Sequence, residues 1–309
     1  MLGVSNCKIH LGTELKMFNR ILVPLDGSNL AELALPYVEE LVRAFNSEVI
    51  LVSVCEPAES QYRHMHQLYI EKLTELVKSY VKVGSRVKVK QVIIDGEPAE
   101  EIINYAEKNE ISLIIMTSHG RSGIMPWVMG SVANKVTCRI SIPVLLIRAR
   151  VPYPEKEGLF NKILMPLDGS DVGEAALPYI TELTKKVTTE VSLLQVIAPG
   201  QHVHTVGGLD YVRFTEQQVE AMKADAKQYL EKVVNKLAGT RGTIRCEVRI
   251  GDTAQELIKF ADETNTRLVA ISTHGRSGIR QWIFGSVAYK ILEAGNIPVL
   301  LVRAPRVGV

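Results

Sequence analysis

Two stretches of the chain combine residue types suited to holding an anion. Thr117-Ser118-His119-Gly120 is separated by nine residues from Gly130-Ser131, and Ser272-Thr273-His274-Gly275 by nine residues from Gly285-Ser286. Inside the spacers, Arg121-Ser122-Gly123-Ile124 recurs as Arg276-Ser277-Gly278-Ile279, and Trp127 recurs as Trp282. A glycine such as Gly120 lets backbone approach a ligand closely and take positive φ. Gly130-Ser131 and Gly285-Ser286 would each open a helix, whose unpaired N–H groups and dipole attract an anion. The Ser131 hydroxyl adds a donor. Far upstream in each half stands a second repeated loop, Pro24-Leu25-Asp26-Gly27-Ser28 and Pro166-Leu167-Asp168-Gly169-Ser170. An ionised aspartate only accepts hydrogen bonds, which suits sugar hydroxyls or a divalent cation. Arg121 and Arg276 would add charge toward phosphate.

Each feature has a plainer reading. Turn glycines are abundant, so one Gly-x-x-Gly says little. The duplication removes chance, but not common descent of a structural turn. Asp26 and Asp168 would equally cap the following turn. His119 and His274 read better as partners of loop backbone than as catalysts, because no nucleophile and acid complete a triad beside them. Arg121 and Arg276 read as solvated charges, and Trp127 and Trp282 as core or interface packing. His64-x-His66 and His202-x-His204 come without a third ligand at metal spacing and read as surface loop. There is no Gly-x4-Gly-Lys-[Ser/Thr], no Gly-x-Gly-x-x-Gly after the first strand, no Gly-x-Ser-x-Gly and no His-Glu-x-x-His. The loops are built to hold a nucleotide more than to transform one.

Elements that would position these loops follow from the apolar pattern. The 309 residues suit two domains, and 46% hydrophobic with 23% charged residues is an ordinary globular balance. The net charge of +2 gives no electrostatic argument for nucleic acid or an anionic membrane. The four cysteines lack metal-type spacing and point to a reducing compartment, as small apolar residues. No run reaches a membrane span, and residues 1–16 make a poor signal peptide. Met17 directly precedes the first strand, so that tail is expected to be disordered or an upstream-start extension.

Apolar runs without alternation predict strands buried on both faces, Ile21–Leu25, Val49–Val54, Val89–Ile94, Leu113–Met116 and Val144–Ile147. Their counterparts are Ile163–Leu167, Val191–Ile197, Ile244–Ile250, Leu268–Ile271 and Val299–Val302. Helices are expected over Ala31–Phe45, His64–Val81 and from near Ser131, and over Glu174–Lys185, Thr215–Leu237 and from near Ser286. Pro36 and Pro178 lie too deep for a first turn, which predicts a kink in both helices. The second copy carries extra residues after Pro199, a loop signal at Gln201–Gly208 suited to a lid or a partner contact. Expected organisation is a tail (1–16), a first domain (17–150), a linker (151–158) and a second domain (159–309). Strands alternating with helices argue for parallel α/β sheets. If strands one and four are neighbours, Asp26 and the Gly120–Gly130 loop face one crevice at the carboxyl ends of the strands.

The Pro-Leu-Asp-Gly-Ser loops and the Gly-x2-Gly-x9-Gly-[Ser/Thr] pattern resemble the universal stress protein family in its tandem form. The resemblance covers nearly the whole chain from Met17, once per half. It departs at the first glycine, which is Thr117 in one copy and Ser272 in the other; a Cβ there would narrow the crevice or forbid positive φ. The fold then expected is two doubly wound domains, each a five-stranded parallel sheet in the order 3-2-1-4-5, packed about a pseudo-two-fold through the fifth strands. By resemblance the ligand is ATP, with or without Mg2+. Pro24, Asp26, Val54, Thr117, His119, Gly120, Gly130, Ser131 and Val132 would hold it in the first half. Pro166, Asp168, Val196, Ser272, His274, Gly275, Gly285, Ser286 and Val287 would do so in the second. The expected function is non-catalytic nucleotide binding in cytoplasmic stress adaptation, with a regulatory protein partner and a homodimer. A slow ATPase or phosphotransferase, and an interaction scaffold with relic loops, are the competing readings.

Overall fold

The computed structural model describes residues 17–80, 87–120, 129–148, 158–205, 208–273, 285–294 and 296–304. The first half runs β1 (Arg20–Pro24), α1 (Leu35–Phe45), β2 (Glu48–Cys55), α2 (Arg63–Ser79), β3 (Val89–Asp95), α3 (Pro98–Lys108), β4 (Leu113–Thr117), α4 (Ser131–Arg139) and β5 (Val144–Ile147). The second half repeats this as β6 (Lys162–Pro166), α5 (Leu177–Lys186), β7 (Thr189–Ile197), an added pair β8 (Gly200–Thr205) and β9 (Gly208–Arg213), α6 (Glu216–Lys236), β10 (Gly242–Ile250), α7 (Thr253–Glu263), β11 (Leu268–Ser272), α8 (Ser286–Ala294) and β12 (Val299–Val302).

Each half has the strand order 3-2-1-4-5, all parallel. The two halves join in one sheet, ten-stranded among the described residues, in the order β10-β7-β6-β11-β12-β5-β4-β1-β2-β3. The central pair β5 and β12 is antiparallel, with Leu145 opposite Leu300. Those two leucines occupy equivalent places in the two copies, so a pseudo-two-fold passes between them. The burial explains the unalternated strands. Odd-numbered residues of β2, such as Val49 and Leu51, face α1 and α2, whereas Ile50, Val52 and Val54 face α3 and α4. Both core layers continue across the halves, and each buried Leu or Ile contributes about 1.5–3 kcal/mol.

Aromatic residues add a reciprocal link. Phe18 meets Tyr179 of the second half edge-on at 6.2 Å between centroids, and Phe160 meets Tyr37 of the first at 5.9 Å. Burial pushes the Tyr37 phenol up to about 12.

Two expectations are corrected here. Pro36 and Pro178 do not kink a helix, because 3-10 turns over Ala31–Ala34 and Gly173–Ala176 come first. The α-helices start at Leu35 and Leu177, which puts both prolines in a first turn, where the missing N–H would have had no helical partner. The extra residues after Pro199 are not a loop. They form an antiparallel hairpin, His202 opposite Tyr211, which pairs with no other strand among the described residues.

Candidate functional site

At the carboxyl ends of β1 and β4 in the first half lies a cavity of about 560 Å³. It sits where the strand order reverses, between β1 and β4, as open α/β sheets favour. All nine first-half candidates line it: Pro24, Asp26, Val54, Thr117, His119, Gly120, Gly130, Ser131 and Val132.

The Asp26 wall is set by a tight turn. Gly27 holds φ at +86° and Gly169 at +83°, a region costly for other residues. The turn lets the Ser28 N–H (3.0 Å) and hydroxyl (2.6 Å) donate to Asp26 Oδ1. The Ser28 oxygen in turn accepts from the Ala31 N–H, capping the 3-10 turn. Asp168 and Ser170 repeat the pattern, with Gly173 as the donor. The turn-capping reading of both aspartates is therefore realised, and it fixes the carboxylate at the cavity wall. Burial, then the charges of Glu32 and Asp26, push the Tyr69 phenol behind this wall upward.

Gly120 has a different reason from the one expected. Positive φ is not used there. A Cβ on Gly120 would lie 2.0 Å from Asp26 Oδ2, so the glycine makes room for the aspartate. Gly130 likewise has ordinary extended backbone, φ −57° and ψ 150°, and its Cβ would sit 3.1 Å from the Ser118 carbonyl. The departures at Thr117 and Ser272 forbid nothing. Both end strands, paired with Ile147 and Val302, and Thr117 Oγ1 donates to the His119 carbonyl at 2.7 Å. Ser118 Oγ and His119 Nδ1 lie 3.0 Å apart, so the histidine belongs to the loop's own hydrogen bonding.

The opposite wall is the start of α4. Among the described residues no side chain caps it, as for α1, α2 and α5, whereas Glu97 caps α3, Thr215 and Gln218 form a capping box on α6, and Asp252 caps α7. Ser131, Val132 and Ala133, the first turn of α4, line the cavity.

Sequence reasoning missed three carboxylates on the lining, Glu56, Glu59 and Glu97. Glu97 was findable, since it precedes Pro98 at a helix start; Lys135 at 2.8 Å holds its carboxyl below the usual range. Glu59 carries no local signal. It is placed by His66, whose Nε2 lies 3.6 Å away and whose Nδ1 is 2.8 Å from the hydroxyl of fully buried Ser53. His66 is thus not in a surface loop but on α2, tying that helix to β2. His202 and His204 fall in β8.

In the second half, Pro166 ends β6 opposite Leu194, Val196 lies in β7 opposite Arg249, and Ser272 is buried at the end of β11. Gly285 precedes α8, which begins at Ser286, and Val287 packs on the core layer that contains Ile50 and Val52. His274, Gly275, Arg276 and Trp282, and in the first half Arg121 and Trp127, lie outside the described residues, as does the tail 1–16.

An α/β sheet with a crevice between its first and fourth strands, walled by Asp-Gly-Ser and by a glycine-led helix, marks the first half, and the second half repeats the strand order, the Asp168-Gly169-Ser170 turn and a helix that follows Gly285. Residues 17–148 and 159–303 each match the universal stress protein family, and the chain belongs to that family. Universal stress protein MJ0577 of Methanocaldococcus jannaschii is 31% identical over 159 residues, covering 43% of this chain and 97% of that protein. Universal stress protein Rv2005c of Mycobacterium tuberculosis is 23% identical over 232 residues, covering 74% of each. A universal stress protein structure from Archaeoglobus fulgidus superposes with a TM-score of 0.63 at 19% identity, covering 93% of this chain and 98% of that one, which shows the shared fold.

Proposed function

We propose that the first-half crevice binds an adenine nucleotide, ATP with Mg2+, and that the protein is a nucleotide-dependent regulator in cytoplasmic stress adaptation rather than a catalyst. The observation that carries this is the pairing of opposite walls. One is the uncapped first turn of α4, which suits the phosphates. The other is Asp26, held by Ser28 and suited to ribose hydroxyls. Val52, Val54 and Met116 between them offer apolar surface to a base. The carboxylates Asp26, Glu56, Glu59 and Glu97 disfavour a bare triphosphate, and a divalent cation supplies the counter-charge. The equivalent positions of the second half are assigned the same role by repetition. A regulatory partner would sense which of two states the nucleotide favours, so the ligand must bind them unequally. A homodimer would have to use surfaces other than β5 and β12, which are paired within the chain.

The test starts with small molecules released by denaturing freshly purified protein, identified and counted per chain. ATP–Mg2+ titration should then give saturable binding that is lost in Gly130→Val combined with Gly285→Val. Unchanged affinity in that double variant refutes the assigned sites. Steady turnover abolished by Asp26→Ala with binding retained would favour the ATPase reading. Neither retained nucleotide nor a thermal shift with millimolar ATP would favour the scaffold.

A further inference from the structure

Two arginines at the seam between the halves reach across it. Arg148 directly follows β5 and Arg303 directly follows β12, equivalent places in the repeat. Arg148 is only 3% exposed, a costly position for a guanidinium unless it is well partnered. Arg303 Nη2 donates to the carbonyl of Cys138, in the last turn of α4. Arg148 Nη2 lies 3.5 Å from the carbonyl of Glu293, in the last turn of α8. Each glycine-led helix thus takes a cation at its carboxyl end from the other half, where the dipole favours one.

Backbone hydrogen bonds carry the connection to the loops. The Gly130 N–H donates to the Ser118 carbonyl (2.8 Å), and the Ser118 N–H donates to the carbonyl of Ile147 (2.8 Å), the residue before Arg148. In the second half the Gly285 N–H donates to Thr273 (3.0 Å) and the Thr273 N–H to Val302 (2.9 Å), the residue before Arg303. The links close a ring: loop of one half, its fifth strand, an arginine, the helix of the other half, that half's loop, and back.

We propose that Arg303 is a positioning residue for the first-half nucleotide site and Arg148 for the second, so that the two sites are energetically coupled through α4 and α8. This rests on the nucleotide reading above. A helix of nine residues is about 13 Å long and moves as a rod. A guanidinium at one end fixes where its first turn meets an anion at the other. Coupling between binding sites is reciprocal, so occupancy of one half changes the affinity of the other by the same factor it experiences in return.

The experiment isolates each site with one glycine substitution. In a Gly285→Val background, where the first-half site remains, Arg303→Met should weaken ATP–Mg2+ binding about five-fold or more, and Arg148→Met should weaken it less. In a Gly130→Val background the ranking reverses. Arg303→Lys should recover part of the loss. Amide exchange without ligand gives an independent reading: Arg303→Met should speed exchange in α4 more than in α8. Equal weakening of both sites by either arginine, or unaltered affinity, overturns the proposal. So does equal exchange in the two helices. If the parent proteins bind no ATP but the exchange pattern is crossed, the nucleotide reading falls and the arginine-to-helix coupling stands.

Discussion

Gly120→Ala puts the geometry of the Asp26 wall to a direct test. The new Cβ would lie 2.0 Å from Asp26 Oδ2 and 3.0 Å from its Cγ, so the carboxylate must swing away. Swinging breaks the two bonds that Oδ1 accepts from Ser28, at 3.0 and 2.6 Å. Hydrogen bonds to a charged group contribute about 1.5–3 kcal/mol each. The site is half-buried, and water replaces part of what is lost, so the net cost is about 2 kcal/mol. At roughly 2–4 °C per kcal/mol this lowers the melting temperature of the first half by about 4–8 °C. The backbone at Gly120 is not in the positive-φ region, so the methyl itself is tolerated and by entropy alone would stabilise by about 0.4–1 kcal/mol. In an Asp26→Ala background, where no described atom remains within clashing distance, Gly120→Ala should therefore be neutral or slightly stabilising. Thermal unfolding of the four proteins closes a double-mutant cycle, with an expected coupling of about 2–3 kcal/mol. An equal shift from Gly120→Ala in both backgrounds would show that the glycine serves something other than the aspartate.

Pro36→Ala should change stability by less than about 1 kcal/mol, since a first-turn proline removes no helical hydrogen bond; a urea-unfolding shift near the ~3 kcal/mol of an interior proline would contradict the split into a 3-10 turn and α1. Lys90 at 2.7 Å, then Arg20 at 3.0 Å, hold the Glu48 carboxyl below its ordinary value. With the native pKa depressed, this contribution is complete above the ordinary carboxylate value of 4.5 and is lost as pH falls through the lower native one. Glu48→Gln should lower stability at pH 7 and flatten its acid dependence below about 4.5, read from unfolding midpoints across pH.

The sheet was legible because both its faces are covered. Runs such as Ile21-Leu22-Val23 and Leu145-Leu146-Ile147 carry no polar alternation, and repetition fixed which runs correspond. Asp26, Gly120, Gly130 and Ser131 were legible as loops recurring in both halves, whereas Val54 and Val132 came from the family resemblance. What escaped is what depends on distance across the fold. Nothing in the local sequence of Gly120 says that a carboxylate ninety-odd positions earlier fills the space its side chain would take. Glu59 lies in a further 3-10 turn, Pro57–Tyr62, and is held toward the cavity by His66, which buried Ser53 anchors to β2. The split of the first helix was hidden because Ala31–Ala34 continues the apolar face of α1. The hairpin was hidden because its polar, glycine-containing residues match a loop in composition.

The seam at Leu145 and Leu300 has a bearing on how this molecule can diverge. Two identical chains meeting along such an edge would receive every mutation twice, once on each side. Here a single polypeptide supplies both edges, so a mutation alters one edge and leaves the sequence of the other as it was. The halves already differ in this way: Ser53 faces His66 in one half while Gln195 stands at the matching place in the other, and among the described residues only the second half has a hairpin between its second strand and the helix that follows. Joining both edges in one chain lets the two halves carry different side chains at matching places along the same seam.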